Sequence, residues 1–283
     1  MASVALFPAA KAGCFSVRER PALVLQRLAT APKLAGVTAA SRLETRPRRA
    51  MAESGIGELD GLTGGLPRGC LTEICGPPSS GRTSVLLAAL AAATRRQEAC
   101  ALVDASDALD PVSAAASGAD FQKLLWVRCG GASAERSEKT AKARSWQRRW
   151  PREEPGVEQA LRVTDLLLQS GGFGLVVMDL GDISFALARR IPLTSWFRFQ
   201  RAVEHTPTIF LLLSQAPCTR SCAALLLRVQ AGGQRRRFEE EPEGPAHARL
   251  LRGTEVEGEL LQSRLERKPA ASTAFATQTA WAG

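Results

Sequence analysis

The sequence predicts an α/β fold, a mostly parallel sheet with helices on both faces, and three features predict it. From Gly55 onward, short apolar runs bounded by glycine and proline alternate with helical stretches, the rhythm of βαβ units. A turn rich in glycine and serine, Gly76-Pro77-Pro78-Ser79-Ser80-Gly81-Arg82-Thr83, joins an apolar run to an alanine-rich helical stretch. Farther on, Leu175-Val176-Val177-Met178-Asp179 is apolar at consecutive positions, as a strand buried on both faces is, and it ends on a carboxylate.

Each element follows from local pattern. Leu71 to Cys75 is the first strand of the alternation. Ser84 to Arg96 is a helix, because Val85, Leu86, Leu87, Leu90 and Ala91 sit among alanines, the strongest helix formers. Ala99 to Val103 is a strand, Val112 to Ser117 a short helix and Leu124 to Arg128 a short strand. Val157 to Gln169 carries Leu161, Val163, Leu166 and Leu167 along a helix. Leu175 to Leu180 and Ile209 to Leu213 are buried strands, with another from Ala223 to Val229. Between Cys129 and Pro155 lies a polar insert with Arg144, Trp146, Arg148, Arg149 and Trp150, either a flexible loop or an exposed helix.

The ends differ from this core. Residues 1–50 carry nine Lys and Arg against two acids, and read as a basic, mostly flexible arm with one short helix from Arg18 to Thr30. The same composition also fits an organellar transit peptide, and Met51 is a candidate true start of the protein. Residues 51–230 form the core. Residues 231–283, with Arg235, Arg236 and Arg237 before an acidic run at Glu239 to Glu243, read as a flexible tail, apart from a candidate strand at Ala248 to Arg252.

Composition removes several classes. Apolar residues make up 45% of the 283 and charged residues 23%, values that exclude wholesale disorder and a fibrous chain. A formal charge of +9 favours an anionic partner, nucleic acid first. No apolar run approaches the ~20 residues of a membrane helix, so a soluble protein is expected. The seven cysteines (Cys14, Cys70, Cys75, Cys100, Cys129, Cys218, Cys222) are scattered without a CxxC pair, and the chain has two histidines. That argues against a disulfide scaffold or a zinc site and for a reducing, cytoplasmic compartment.

The chemistry concentrates in the Gly76–Thr83 turn. Glycines there let the backbone wrap an anion, with N–H groups pointing inward and a helix N-terminus adding positive potential. Gly76, Ser79, Ser80, Gly81, Arg82, Thr83 and Ser84 are the candidate nucleotide contacts, and Thr83 and Asp179 the candidate Mg²⁺ residues, by hydroxyl and through water. Arg82 stands where a phosphate loop carries lysine. Its planar fork cannot take the geometry of a compact ammonium, so retained binding and impaired hydrolysis are expected.

Gly64-Gly65-Leu66-Pro67-Arg68-Gly69, then Leu71 through Thr83, then Val103-Asp104-Ala105-Ser106-Asp107-Ala108-Leu109-Asp110-Pro111 resemble the bacterial RecA family in order and spacing, over roughly residues 54–230. The resemblance implies a RecA-like P-loop NTPase fold, ATP and Mg²⁺ as cofactors, filaments on single-stranded DNA, and a role in DNA repair and recombination of SOS type. By the same resemblance Asp110 stands where the family contacts adenine, with Ser113 in place of the stacking tyrosine. Ser106 occupies the catalytic glutamate position, with the shorter Asp107 displaced by one, and Gln215 matches the nucleotide-sensing glutamine.

Departures cluster around the DNA loops. Asp182 to Pro207 reads as one apolar, basic, helix-like stretch, and only Ala216 to Cys222 separates Gln215 from the next strand. With Arg82, Ser106 and Ser113, these point to a degenerate ATP-binding accessory module with little ATPase activity. Such a module resembles ImuA, the RecA-like accessory protein of bacterial damage-induced mutagenesis that partners a translesion polymerase system. The alternative is an ATP-dependent recombinase on single-stranded DNA, in which Arg and Trp interleaved from Trp196 to Arg201 supply stacking and phosphate contacts. A third reading is a phosphate-loop ATPase outside repair. Self-association is a further expectation, and no membrane partner is expected. Trp196 and Phe197 themselves read first as core or interface residues.

Overall fold

The computed structural model describes residues 49–129, 155–238, 251–265 and 271–278. A short antiparallel pair, β1 (Met51–Ala52) and β2 (Leu66–Pro67), brackets helix α1 (Gly57–Thr63). The helix stops at Gly64, whose φ of 83° is the left-handed C-cap conformation glycine favours. There follow β3 (Cys70–Cys75), α2 (Arg82–Arg95), β4 (Cys100–Asp104), α3 (Pro111–Ala116) and β5 (Leu124–Arg128). The chain continues through α4 (Pro155–Ser170), β6 (Leu175–Asp179), α5 (Phe185–Ala188), α6 (Leu193–Val203) and β7 (Ile209–Ser214), and ends in β8 (Leu225–Phe238), β9 (Leu251–Ser263) and β10 (Ser272–Ala276).

Eight strands form one sheet in the order β10-β9-β8-β3-β7-β6-β4-β5. From β8 to β5 every pairing is parallel, as βαβ crossovers require, and the expected α/β architecture is present. Because side chains alternate along a strand, β7 sends Ile209, Leu211 and Leu213 to one face and Phe210 and Leu212 to the other. The first face packs Val85, Leu86, Ala89 and Leu90 of α2, with Leu59 of α1. On the second face lie Val157, Ala160 and Leu161 of α4 together with Trp196, Phe199 and Val203 of α6. Each such fully buried large side chain contributes about 1.5–3 kcal/mol, so both helical layers are held chiefly by apolar burial.

Parallel register lines up the carboxyl ends of the central strands. Cys75 pairs with Ser214, Asp179 with Leu213, and Asp104 with Asp179. The turn after β3, the carboxylates ending β4 and β6, and Gln215 after β7 therefore meet at one edge of the sheet, where open α/β sheets bind ligands.

Two expectations are corrected here. Residues 251–263 and 272–276, read as tail, form antiparallel strands on the β8 edge, and β8 itself runs past Val229 to Phe238. Pairing covers an edge that β8 would otherwise expose. The reason lies in a period of two: Val256, Gly258 and Leu260 are buried while Glu257 between them is exposed, a pattern that high charge masks in composition. The candidate strand at 248–252 overlaps β9 only at Leu251 and Arg252. The second correction concerns 182–207, which is two helices broken near Pro192, the N-cap of α6. Trp196 there is 1% exposed and meets Phe199 edge to face at 5.9 Å, with Phe199 against Phe210 at 5.7 Å, so Trp196 is a core residue and no base can stack on it. Phe197, at 44% exposure, faces outward. The basic arm, with its expected helix at 18–30, and the insert with Trp146 and Trp150 lie outside the described residues.

Candidate phosphate-binding site

The turn between β3 and α2 is built by backbone geometry. Gly76 N–H extends the sheet ladder by donating to Ser214 O at 3.1 Å, and Ser80 N–H closes the turn on Pro77 O at 3.2 Å. Ser79 (φ 62°) and Gly81 (φ 90°) are both left-handed. A Cβ on Gly76 would lie 2.2 Å from Val229 O, and one on Gly81 would lie 2.5 Å from Val256 Cγ2, so neighbouring strands press on the loop from behind. Gly81 begins α2 with no side-chain cap among the described residues, leaving the first N–H groups of a 14-residue helix to face the loop. Ser80 Oγ is buried without a hydrogen-bond partner among the described residues. Thr83 is exposed at the mouth.

The Arg82 side chain reaches the loop after β6. It is 7% exposed, and its Nη1 donates to Gly181 O at 3.0 Å. Gln215 Nε2 donates to the same carbonyl at 3.2 Å, so the loop after β6 is held from both sides. Burial lowers the Arg82 pKa from its usual range, opposed by Asp179 and Asp182. Asp179 Oδ1 accepts from Gly181 N–H at 2.7 Å. Burial, reinforced by Asp104 beside it, pushes the Asp179 carboxyl up to about 6, against the opposing pull of Gly181 N–H and Arg82. Burial and the nearby Glu73 push the Cys75 thiol up to about 12, so no thiolate faces the loop near neutral pH.

The expected site residues separate into two groups. Gly76, Ser79, Ser80, Gly81, Arg82, Thr83 and Ser84 lie on one loop-to-helix junction, beside Asp179 and Gln215. Asp110, by contrast, caps α3: its carboxylate accepts from Val112 N–H, Ser113 N–H and Ser113 Oγ–H. Ser113 does face the site, lining with Thr83, Ser84, Arg95 and Phe275 a cavity of about 670 Å³ along α2. Ser106 Oγ is buried without a hydrogen-bond partner among the described residues. Asp107, left-handed at φ 57°, is held by Arg128 through two contacts of 2.6 Å, and Arg128 in turn lies 5.0 Å over Trp126.

Two carboxylates escaped the sequence reading. Asp104 organises the turn after β4, accepting from Ser106, Ala108 and Leu109 N–H and from Trp126 Nε1–H. Glu73, 0% exposed in β3, accepts from Ser214 Oγ and Cys218 N–H at 2.8 Å, from Thr219 N–H at 3.1 Å, and from Thr219 Oγ1. It ties the segment after Gln215 to the phosphate-loop strand. The signal was present: a glutamate inside Leu71-Thr72-Glu73-Ile74-Cys75 has to find buried donors.

Comparison with known proteins places part of the sequence. Residues 42–136 match the RecA N-terminal domain family. Over 167 residues the chain is 31% identical to Protein RecA of Ectopseudomonas oleovorans, an alignment covering 54% of this chain and 40% of that protein. The chain thus spans about two fifths of the length of the curated relative it matches.

Proposed function

We propose, residues 42–136 making this chain a member of the RecA family, that it serves DNA recombination and repair as an ATP-binding accessory module with little turnover of its own. One observation supports the reading: where the resemblance puts the family's catalytic glutamate, Ser106 has a hydroxyl buried without a hydrogen-bond partner among the described residues, and the neighbouring Asp107 is engaged by Arg128. Phosphoryl transfer to water needs a group that orients the attacking water; a serine brings no carboxylate to that task, and the Asp107 carboxylate is held by Arg128.

The chain's own residues supply the binding. Uncapped N–H groups at the start of α2 and the Ser80 hydroxyl receive phosphate oxygens, and the base extends along α2 toward Ser113 in the 670 Å³ cavity. Magnesium fits less well. Thr83 and Asp179 are the hydroxyl and carboxylate that would hold it, but the Arg82 guanidinium already lies over Gly181 beside Asp179.

The accessory reading makes a translesion polymerase or another repair protein the natural partner, in the cytoplasm and within an SOS-type response. The second reading, a single-stranded-DNA recombinase that can self-associate, draws on the Gln215 bond to Gly181, which keeps the sensing glutamine in touch with the site. ATP hydrolysis with and without single-stranded DNA tests the two, using wild type and the Arg82→Lys/Ser106→Glu double variant. Wild type is expected to show little turnover and no stimulation by DNA, with turnover rising in the double variant. Robust DNA-stimulated hydrolysis by wild type would favour the recombinase.

A further inference from the structure

Arg82, the first residue of α2, is a charged group that is 7% exposed. The guanidinium hydrogen-bonds Gly181 O at 3.0 Å. A Cβ built on Gly181 would lie 3.2 Å from Arg82 Nη1, 3.5 Å from its Cζ and 2.9 Å from Asp179 Oδ1. The cation and the carboxylate therefore flank one point beside Gly181, on the Asp179 side that a metal held by this carboxylate would need. A divalent ion placed there would face a fixed positive charge that cannot be discharged by losing a proton near neutral pH.

Other groups around the guanidinium keep it in place. Asp179 and Asp182 attract it, and Gln215 shares its acceptor carbonyl. One N–H is taken by Gly181, and the remaining donors of the planar fork stay available to phosphate oxygens. Beside it, the start of α2, with no side-chain cap among the described residues, and the Ser80 hydroxyl, buried without a partner among them, form the rest of an anion cradle.

We propose that the Arg82 guanidinium is the resident cation of this cradle, standing at Asp179 in place of a divalent metal, so that a polyphosphate binds here without magnesium. For its natural ligand this rests on the nucleotide-binding reading above.

Isothermal titration of wild type, Arg82→Lys and Arg82→Gln with inorganic triphosphate and with ATP, each in EDTA and in magnesium, tests it. For wild type the triphosphate affinity should agree within about twofold between EDTA and magnesium. Arg82→Lys should lose about tenfold or more in EDTA and regain it with magnesium, because a point charge on a shorter reach leaves the Asp179 edge open to the metal. Arg82→Gln keeps a donor for Gly181 without the charge, and should lose about tenfold in both conditions. Mn²⁺ added with triphosphate should show a bound-ion electron paramagnetic resonance signal in Arg82→Lys and not in wild type. Triphosphate that binds wild type only with magnesium, or not at all, overturns the proposal. Triphosphate binding without ATP binding would leave the role of Arg82 standing and remove the nucleotide reading instead.

Discussion

Replacing Glu73 by glutamine keeps the volume of a fully buried side chain and changes one oxygen into an amide. In the native strand each carboxylate oxygen serves one backbone N–H and one hydroxyl: Oε1 takes Cys218 N–H and Ser214 Oγ, Oε2 takes Thr219 N–H and Thr219 Oγ1. Whichever way the glutamine amide turns, its NH₂ meets a backbone N–H. A hydroxyl can rotate to accept, but a peptide N–H cannot. One buried donor is therefore left unsatisfied, at about 1–3 kcal/mol, and the surviving bonds weaken as their acceptor loses its carboxylate character. The expected cost is about 3 kcal/mol, read by urea denaturation with an unchanged slope. Because Cys218 and Thr219 closely follow Gln215, hydrogen exchange at 216–222 should rise in the same variant. Stability of Glu73→Gln within about 0.5 kcal/mol of wild type would refute the reasoning, since surface substitutions alone reach that size.

Two further outcomes follow from the edge of the sheet. With its folded value near 6 above the ordinary 3.8, Asp179 takes up a proton in the folded state first, so its contribution to stability rises as pH falls from about 6 toward 4. The gain is no more than about 2 kcal/mol, because the carboxylate is partly open to solvent. Asp179→Asn should flatten that part of the denaturation profile, and parallel profiles for the two proteins would contradict the assignment. Gly81→Ala places a Cβ at a left-handed φ of 90° and 2.5 Å from Val256 Cγ2, costing about 3 kcal/mol from conformation and overlap together. Val256→Ala should return about 1–2 kcal/mol of this in a double-mutant cycle, whereas additive losses would mean that β9 does not bear on the loop.

Much of the core was readable before any coordinates. Strands 71–75, 124–128, 175–180 and 209–213 and the helices at 84–96 and 157–169 reappear within a few residues, because apolar run length and helical spacing are local properties of the chain. The turn at Gly76–Thr83 was equally legible as a strand-to-helix junction, since its glycines, serines and helix start are consecutive in sequence. Less legible was the C-terminal sheet edge. Glu255, Glu257 and Glu259 alternate with Val256, Gly258 and Leu260, and averaging over such a stretch gives the composition of a solvated tail.

Sequence alone determined which residues form the turn between β3 and α2, since that depends only on order along the chain, and the family resemblance supplied the expectation that Arg82 and Ser106 stand in a lysine's and a glutamate's places. Tertiary structure decided where those side chains go: Arg82 to Gly181 across 99 positions, Glu73 to the segment after Gln215, and Trp196 into the core rather than toward a ligand. The physical reason is that a hydrogen bond or an apolar contact is settled by which partner is nearest once the sheet has assembled. That nearness is created by strand order, which no stretch of neighbouring residues encodes.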